Sequence, residues 1–252
     1  MMTPILVTGG TGTLGRLVVA RLRTAGHPVR VVSRGDPRDE DGLRVVTGDL
    51  ATGAGIAAAV AGVNTIVHCA SSAKGDVEST RNLVHAASRT GDEPHLVYVS
   101  IVGADRLPYG YMRTKLECER LVAESGLPWT LLRATQFYDL ILTGAKRVAK
   151  LPFVPVPAGL LCQPVDPADV AARLVELALG APAGRVPDLA GPRQWEAAEL
   201  IREYLRATGR RRPVVPVLLP GTGRIRAGAL LATGQPTTGH RTWEEFLASR
   251  LS

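Results

Sequence analysis

Aromatic residues make up only 4% of this chain, and cysteine, histidine and lysine are scarce as well. Each shortage excludes something. Lysine and arginine outnumber aspartate and glutamate by 30 to 23, a net charge of +7. With few rings to interleave with those cations, the excess does not read as a nucleic-acid surface. Four of the cations are lysine and the rest arginine, spread along the chain apart from the run Arg210–Arg212. The three cysteines, Cys69, Cys118 and Cys162, form no CxxC pair and no Cys/His ligand spacing. That excludes a disulfide framework and a zinc module, and fits free thiols in a reducing, cytoplasmic setting. The five histidines also lack metal-ligand spacing, and His68 sits in an apolar run as a core residue would. No metal is therefore expected. No apolar run reaches the roughly 18 residues of a membrane span, so no membrane partner is expected. The N-terminus enters an apolar strand at Ile5 without a basic leader, so no signal peptide is expected.

What is present is an alternation. Short runs rich in Val, Ile and Leu predict strands at Ile5–Thr8, Val29–Ser33, Arg44–Thr47, Thr65–Cys69, His95–Ser100 and Trp129–Arg133. Helical patterns separate them, at Gly15–Ala25, Ala54–Ala61, Val77–Thr90 and Met112–Ser125. Apolar strands joined by helix-length connections predict an α/β fold, a Rossmann-type doubly wound parallel sheet covered on both faces. Gly26, Gly62, Gly91 and Gly126 stand where helix C-terminal caps belong. After Gln136 the rhythm changes and prolines cluster. Helices are expected at Asp166–Leu179, with Asp166 as N-cap, and at Glu196–Thr208 and Thr242–Leu251. The 252 residues are read as a single NAD(P)-binding domain, in which 136–252 contributes most of a small substrate lobe.

The strongest motif is VTGGTGTLG, Val7 to Gly15. It follows a strand and opens a helix, the context a dinucleotide fingerprint requires. Gly9 and Gly10 allow the tight turn, Gly12 admits a pyrophosphate to the backbone, and Gly15 lets helix and strand pack closely. The N–H groups of Thr13 and Leu14 then face phosphate at a helix N-terminus, with Thr11 and Thr13 offering hydroxyls. No Lys-Ser/Thr pair follows, which excludes a Walker A loop.

The second strand ends in Ser33-Arg34 rather than a carboxylate. Arg34 suits a 2′-phosphate and Ser33 can donate to it, so NADP(H) is expected, with Arg38 assisting. NAD stays open through Asp36, two residues on. Asp49 and Leu50, after the third strand, are assigned to the adenine end, although Asp49 also reads as a loop cap. Ala70 and Ser71, after the fourth strand, complete the cofactor candidates.

Tyr111 and Lys115 form Y-x-x-x-K, one helical turn apart on one face. An ammonium there stabilises a phenolate and can hold a ribose, while the phenol donates a proton to a carbonyl as hydride arrives. Ser100, closing the fifth strand, is the expected third member. Tyr109 is a rival phenol, and a pocket-wall role for Tyr111 stays open. Gln136 and Phe137, after strand six, are the substrate-contact candidates.

Together with VYVSIVG, YGYMRTKLECERLV, GLPWTLLRATQF, QPVDPADVA and the closing RTWEEFLA, the glycine loop resembles the atypical short-chain dehydrogenase/reductases. The NmrA-like, NAD(P)-binding branch is nearest. The resemblance spans nearly the whole chain. It implies NADP(H) binding, about seven strands and a substrate pocket under the C-terminal segment. It also implies phosphate-loop roles for Gly9, Gly12 and Gly15, NADP selection by Arg34, ribose binding by Lys115 and proton donation by Tyr111. The expected function is NADPH-dependent reduction of a ketone, quinone or enone on a small, mostly apolar molecule, by a monomer or homodimer. A non-catalytic NADP(H) sensor and a sugar-nucleotide epimerase are the alternatives.

Overall fold

A computed structural model describes residues 2–35, 42–72 and 75–251. In chain order the elements begin β1 (Ile5–Thr8), α1 (Gly15–Thr24), β2 (Val29–Ser33), β3 (Leu43–Thr47), α2 (Ile56–Val60), β4 (Thr65–His68), α3 (Asp76–Ser88), β5 (His95–Ile101), α4 (Gly110–Ala123) and β6 (Trp129–Ala134). They continue with α5 (Tyr138–Val148), β7 (Val154–Pro157), β8 (Leu161–Cys162), α6 (Pro167–Leu179), β9 (Gly184–Arg185) and β10 (Leu189–Ala190). The last are β11 (Trp195–Glu196), α7 (Ala197–Ala207), β12 (Val214–Val217), α8 (Gly223–Arg226), β13 (Thr237–Thr238) and α9 (Trp243–Leu251).

The chain divides into two compact units. The first comprises Met1–Ser100, Tyr109–Leu132 and Ala171–Val186. Its strands lie in the order β9-β6-β5-β4-β1-β2-β3. β1 pairs in parallel with β2 and β4, β2 with β3, β4 with β5 and β6 with β9. All four residues of β1 are buried, as they must be in a strand covered on both faces. Leu6, Ile66 and Leu96 point into a core shared with Ile56, Leu83 and Val122 of the helices. The order reverses between β1 and β4, so their carboxyl ends open a crevice where this architecture takes its ligands.

The expected strand positions hold to within a residue or so. The helices start somewhat differently: α4 begins at Gly110, which places Tyr111 in its first turn, and α2 is shorter than expected. Gly26, Gly62, Gly91 and Gly126 all adopt positive φ, between 63° and 81°, as the capping reading required.

The second unit comprises Ile101–Pro108, Arg133–Val170 and Pro187–Ser252. Its core concentrates the few aromatics: Tyr138, Trp195, Tyr204, Trp243 and Phe246 are buried together. Tyr138 lies 5.3 Å from Trp243 and 5.2 Å from Phe246, centre to centre. Helix α5, which the sequence reading left irregular, supplies Tyr138, Leu142 and Ala145 to this core at helical spacing. The QPVDPADVA segment has a structural explanation here. Asp166 Oδ1 accepts from the Ala168 N–H at 2.7 Å, the N-cap geometry expected, and its Oδ2 takes the Arg241 guanidinium at 3.0 Å. Asp169 Oδ2 accepts from the N–H groups of His240 and Arg241 at 2.8 and 3.1 Å. Two aspartates thus anchor the segment leading into α9. Asp166→Ala removes a cap and a partly exposed ion pair, and is expected to cost about 2 kcal/mol in urea unfolding. A loss no larger than that of an exposed Asp→Ala control contradicts this anchoring role.

Candidate functional site

The glycine loop closes on itself at the carboxyl end of β1. Gly9 adopts φ +68°, and a Cβ there would stand 2.7 Å from the Ala70 backbone. The Gly12 N–H donates to the Gly9 carbonyl at 2.9 Å. A Cβ on Gly15 would meet that same carbonyl oxygen at 2.1 Å, so α1 can start this close only without a side chain. A Cβ on Gly12, in contrast, would meet only the Gly9 oxygen, at 3.3 Å, and the outer side of the loop is open. No side chain caps α1. The N–H groups of Thr13, Leu14 and Gly15 find no acceptor among the described residues. Open backbone with uncapped donors at a helix N-terminus fits a pyrophosphate.

At the end of β2, Ser33 Oγ accepts from the Gly35 N–H at 3.2 Å, which bends the chain and leaves Arg34 exposed. Arg34 makes no ion pair among the described residues. Asp36 and Arg38 lie outside the described residues. Asp49 caps its own turn, its Oδ1 accepting from the Ala51 N–H at 2.9 Å. The Leu50 carbonyl accepts from Asn82 Nδ2 at 2.8 Å. Both roles are structural and leave Asp49 Oδ2 available.

Beneath the loop lies a polar chain that the sequence reading did not assemble. The Ala70 N–H donates to Thr8 Oγ1 at 3.4 Å, and that oxygen lies 2.6 Å from His68 Nδ1. His68 Nε2 lies 3.1 Å from Thr80 Oγ1, whose own proton goes to the Asp76 carbonyl at 2.8 Å. The Thr80 oxygen therefore accepts from Nε2–H, and Nδ1 accepts from the Thr8 hydroxyl. His68 is neutral and bonded at both nitrogens, the satisfied core residue expected. Burial first, and the Lys115 charge second, push its pKa down to about 3.

Asp76 is the centre of the site. Its Oδ2 pairs with Lys115 Nζ at 3.3 Å, and both side chains are only 4% exposed. Burial alone would raise the Asp76 pKa, but Lys115, the Ser72 N–H and the Ser71 hydroxyl outweigh it and hold the carboxyl below its ordinary range. Lys115 also donates to Tyr98 Oη at 3.3 Å. Ser71 Oγ donates to Asp76 Oδ2 at 2.9 Å and lies 3.3 Å from Tyr111 Oη. The Lys115 ammonium stands 5.8 Å from the centre of the Tyr111 ring. Lys115, Asp76, Ser71 and Tyr111 are thus one connected set, with Tyr111 at its solvent end, 46% exposed. Ser100 is not joined to it. Its hydroxyl is buried and has no hydrogen-bond partner among the described residues. Sequence reasoning missed Asp76 and Tyr98. Asp76 had one available signal, an acidic residue in the first turn of the helix that follows β4.

In the second unit, the Gln136 amide is committed at both ends. Its Nε2 donates to the Leu230 carbonyl at 3.1 Å, and its Oε1 accepts from the Gln163 N–H at 3.3 Å. Phe137 is half-buried, bridges to Val165 and precedes α5. Among the described residues no cluster of three or more His, Cys, Asp or Glu could hold a metal, and no helix is long and apolar enough to cross a membrane.

Fold and loop define a dinucleotide-binding protein of the Rossmann class. The family model described as NAD(P)H-binding matches residues 9–179, and the chain belongs to that family, in its NmrA-like branch. It is 29% identical to the (4-alkanoyl-5-oxo-2,5-dihydrofuran-3-yl)methyl phosphate reductase of Streptomyces griseus, over 95% of this chain and 96% of that protein. It is 27% identical to quinone oxidoreductase 2 of Escherichia coli, over 82% of this chain and 75% of that one. The crystal structure of that Escherichia coli quinone oxidoreductase with NADPH superposes with a TM-score of 0.81 at 22% identity, covering 98% of this chain and 100% of that one.

Two outcomes follow from the buried network. Asp76→Ala strands a buried ammonium and is expected to cost about 3 to 5 kcal/mol in urea unfolding. A loss below about 1 kcal/mol contradicts the pairing. The second concerns pH. His68 takes up a proton near pH 6.5 when unfolded and only near 3 when folded. Its contribution to stability is therefore complete above the unfolded value. It is lost as pH falls through that window, by about 1.4 kcal/mol per unit. Urea midpoints between about pH 6.5 and 5 should show that slope, and His68→Gln should lessen it. An unchanged slope contradicts a neutral His68.

Proposed function

We propose that this chain is an NADPH-dependent reductase that passes hydride to a ketone, quinone or enone of a small, mostly apolar molecule, with Tyr111 supplying the proton. The observation that carries the proposal is the continuous set of contacts from Lys115 through Asp76 and Ser71 to Tyr111 Oη. It lies at the carboxyl end of the same sheet as the open glycine loop. The relatives support the reading, since two of them are named as a reductase of an oxo-dihydrofuran phosphate and a quinone oxidoreductase.

In this mechanism the loop holds the pyrophosphate through the N–H groups of Thr13 and Leu14. Arg34, with Ser33, pairs with a 2′-phosphate and selects NADPH. When bound, the cofactor supplies the hydride. Lys115 reaches the ribose hydroxyls, and Asp76 fixes its ammonium from the buried side. Tyr111 gives its proton to the substrate oxygen as hydride arrives. The phenolate left behind is stabilised by the Lys115 charge and regains a proton from the water to which Tyr111 is exposed. Ser71, rather than Ser100, is the hydroxyl that Tyr111 meets.

A second reading is favoured by one observation: Ser100 Oγ, the expected third catalytic group, makes no hydrogen bond to Tyr111 or Lys115. Under that reading the chain senses NADP(H) without turnover. NADPH oxidation with quinones and cyclic enones separates the two. Tyr111→Phe is expected to lower kcat at least about 100-fold while leaving NADPH affinity intact. Arg34→Ala is expected to reduce the preference for NADPH over NADH about tenfold. Tight NADPH binding with no turnover across the panel favours the sensor. Turnover that survives Tyr111→Phe with Lys115→Ala contradicts the proton-donor assignment.

A further inference from the structure

The cations are spread along the chain, but the acidic residues that balance them are not. Segments 140–165 and 204–243 hold ten arginines and lysines and no aspartate or glutamate. Both belong to the second unit, where β7 and β12 bring them together as a parallel pair. The Val154 N–H donates to the Pro213 carbonyl at 2.8 Å, and Arg210 donates to the Ala149 carbonyl at 3.3 Å. Lys146, Arg147 and Lys150 at the end of α5 are therefore neighbours of the Arg210–Arg212 run, and all six are exposed.

Beside these cations lies an apolar surface that water would not favour. Val215 and Val217 share a face of the two-stranded sheet with their register partners Pro155 and Pro157. A solvent-facing sheet side ordinarily carries polar residues at those alternate positions. The strip extends at both ends: Phe153 is 53% exposed and Leu218 72% exposed, with Leu219 following. At its far end the Arg226 side chain lies against Gly159.

We propose that this strip, flanked by its cations, docks on the surface of an anionic lipid bilayer. Aliphatic tips beside arginine and lysine are the two signals that peripheral attachment requires: apolar burial and attraction to anionic headgroups. The charge selects among occupants. A second copy would oppose one basic face to another, and the strip is aliphatic apart from Phe153, without the stacking rings that would suit nucleic acid. The proposal revises the expectation, drawn from the absence of a spanning run, that the chain has no membrane partner. It concerns attachment to the surface and is independent of the reductase reading.

The test is sedimentation of the full chain with vesicles of phosphatidylcholine alone and of roughly 3:1 phosphatidylcholine to phosphatidylglycerol. Binding to the anionic vesicles alone is expected, with release at about 0.5 M salt. Arg211→Glu with Arg212→Glu, and separately Leu218→Asp with Leu219→Asp, should each weaken it at least about tenfold. NADPH binding by each variant, unchanged, shows that it is folded. No binding, equal binding to neutral vesicles, or binding indifferent to both variants overturns the proposal. So does tighter binding to a duplex oligonucleotide, or a dimer in solution that the Leu218/Leu219 variant dissociates.

Discussion

The buried pair between Lys115 and Asp76 is the interaction on which the functional half of this molecule depends. Two charges taken out of water gain little net stability from each other, since desolvation offsets most of their attraction. What the pair supplies is position. It joins the first turn of α3 to the second turn of α4, and bonds from Ser71 and Ser72 to the carboxylate and from Lys115 to Tyr98 hold it in place. Tyr111, four residues before Lys115, meets the same cluster through Ser71. The placement of Tyr111 beside Ser71 therefore follows from one ion pair that neither helix could hold alone.

A second constraint acts on the backbone. The start of α1 is pressed against the turn it leaves, so closely that Gly15 has no room for a Cβ beside the Gly9 carbonyl. That contact lets the uncapped end of α1 and the crevice between β1 and β4 share one opening. The hydrogen bonds through His68 connect the two constraints. They run from the Ala70 amide through Thr8 and Thr80 to the backbone of Asp76. Loop and ion pair are thus supported by the same neutral histidine.

Much of this is legible in the sequence alone. Hydrophobic runs of strand length, separated by helix-length connections, specify a parallel sheet, because only two-sided burial makes Val- and Ile-rich strands stable. The glycine spacing specified the loop because backbone sterics leave room for no other residue at Gly9 and Gly15. Helix α5 was not legible in advance: it has no capping side chain and carries Gly144 and Thr143, so its marks are its apolar spacing and the end charges Asp139, Lys146 and Arg147. Asp76 was missed for a different reason. Its partner, 39 residues away, becomes a neighbour only through the packing of α3 on α4, and no local pattern encodes that. Ser100 stands at the end of β5 as expected, but its hydroxyl is buried there without a hydrogen bond to Tyr111, and Ser71 is the serine at the phenol.

The central claim is that loop, ion pair and Arg34 form one site for NADP(H). A crystal structure of the NADP⁺ complex tests it most directly. The account predicts the pyrophosphate on the N–H groups of Thr13 and Leu14, the 2′-phosphate against Arg34 and Ser33, and the nicotinamide ribose within hydrogen-bonding reach of Lys115, whose contact with Asp76 is kept. A cofactor whose 2′-phosphate lies away from Arg34, or whose ribose is beyond the reach of Lys115, would contradict it.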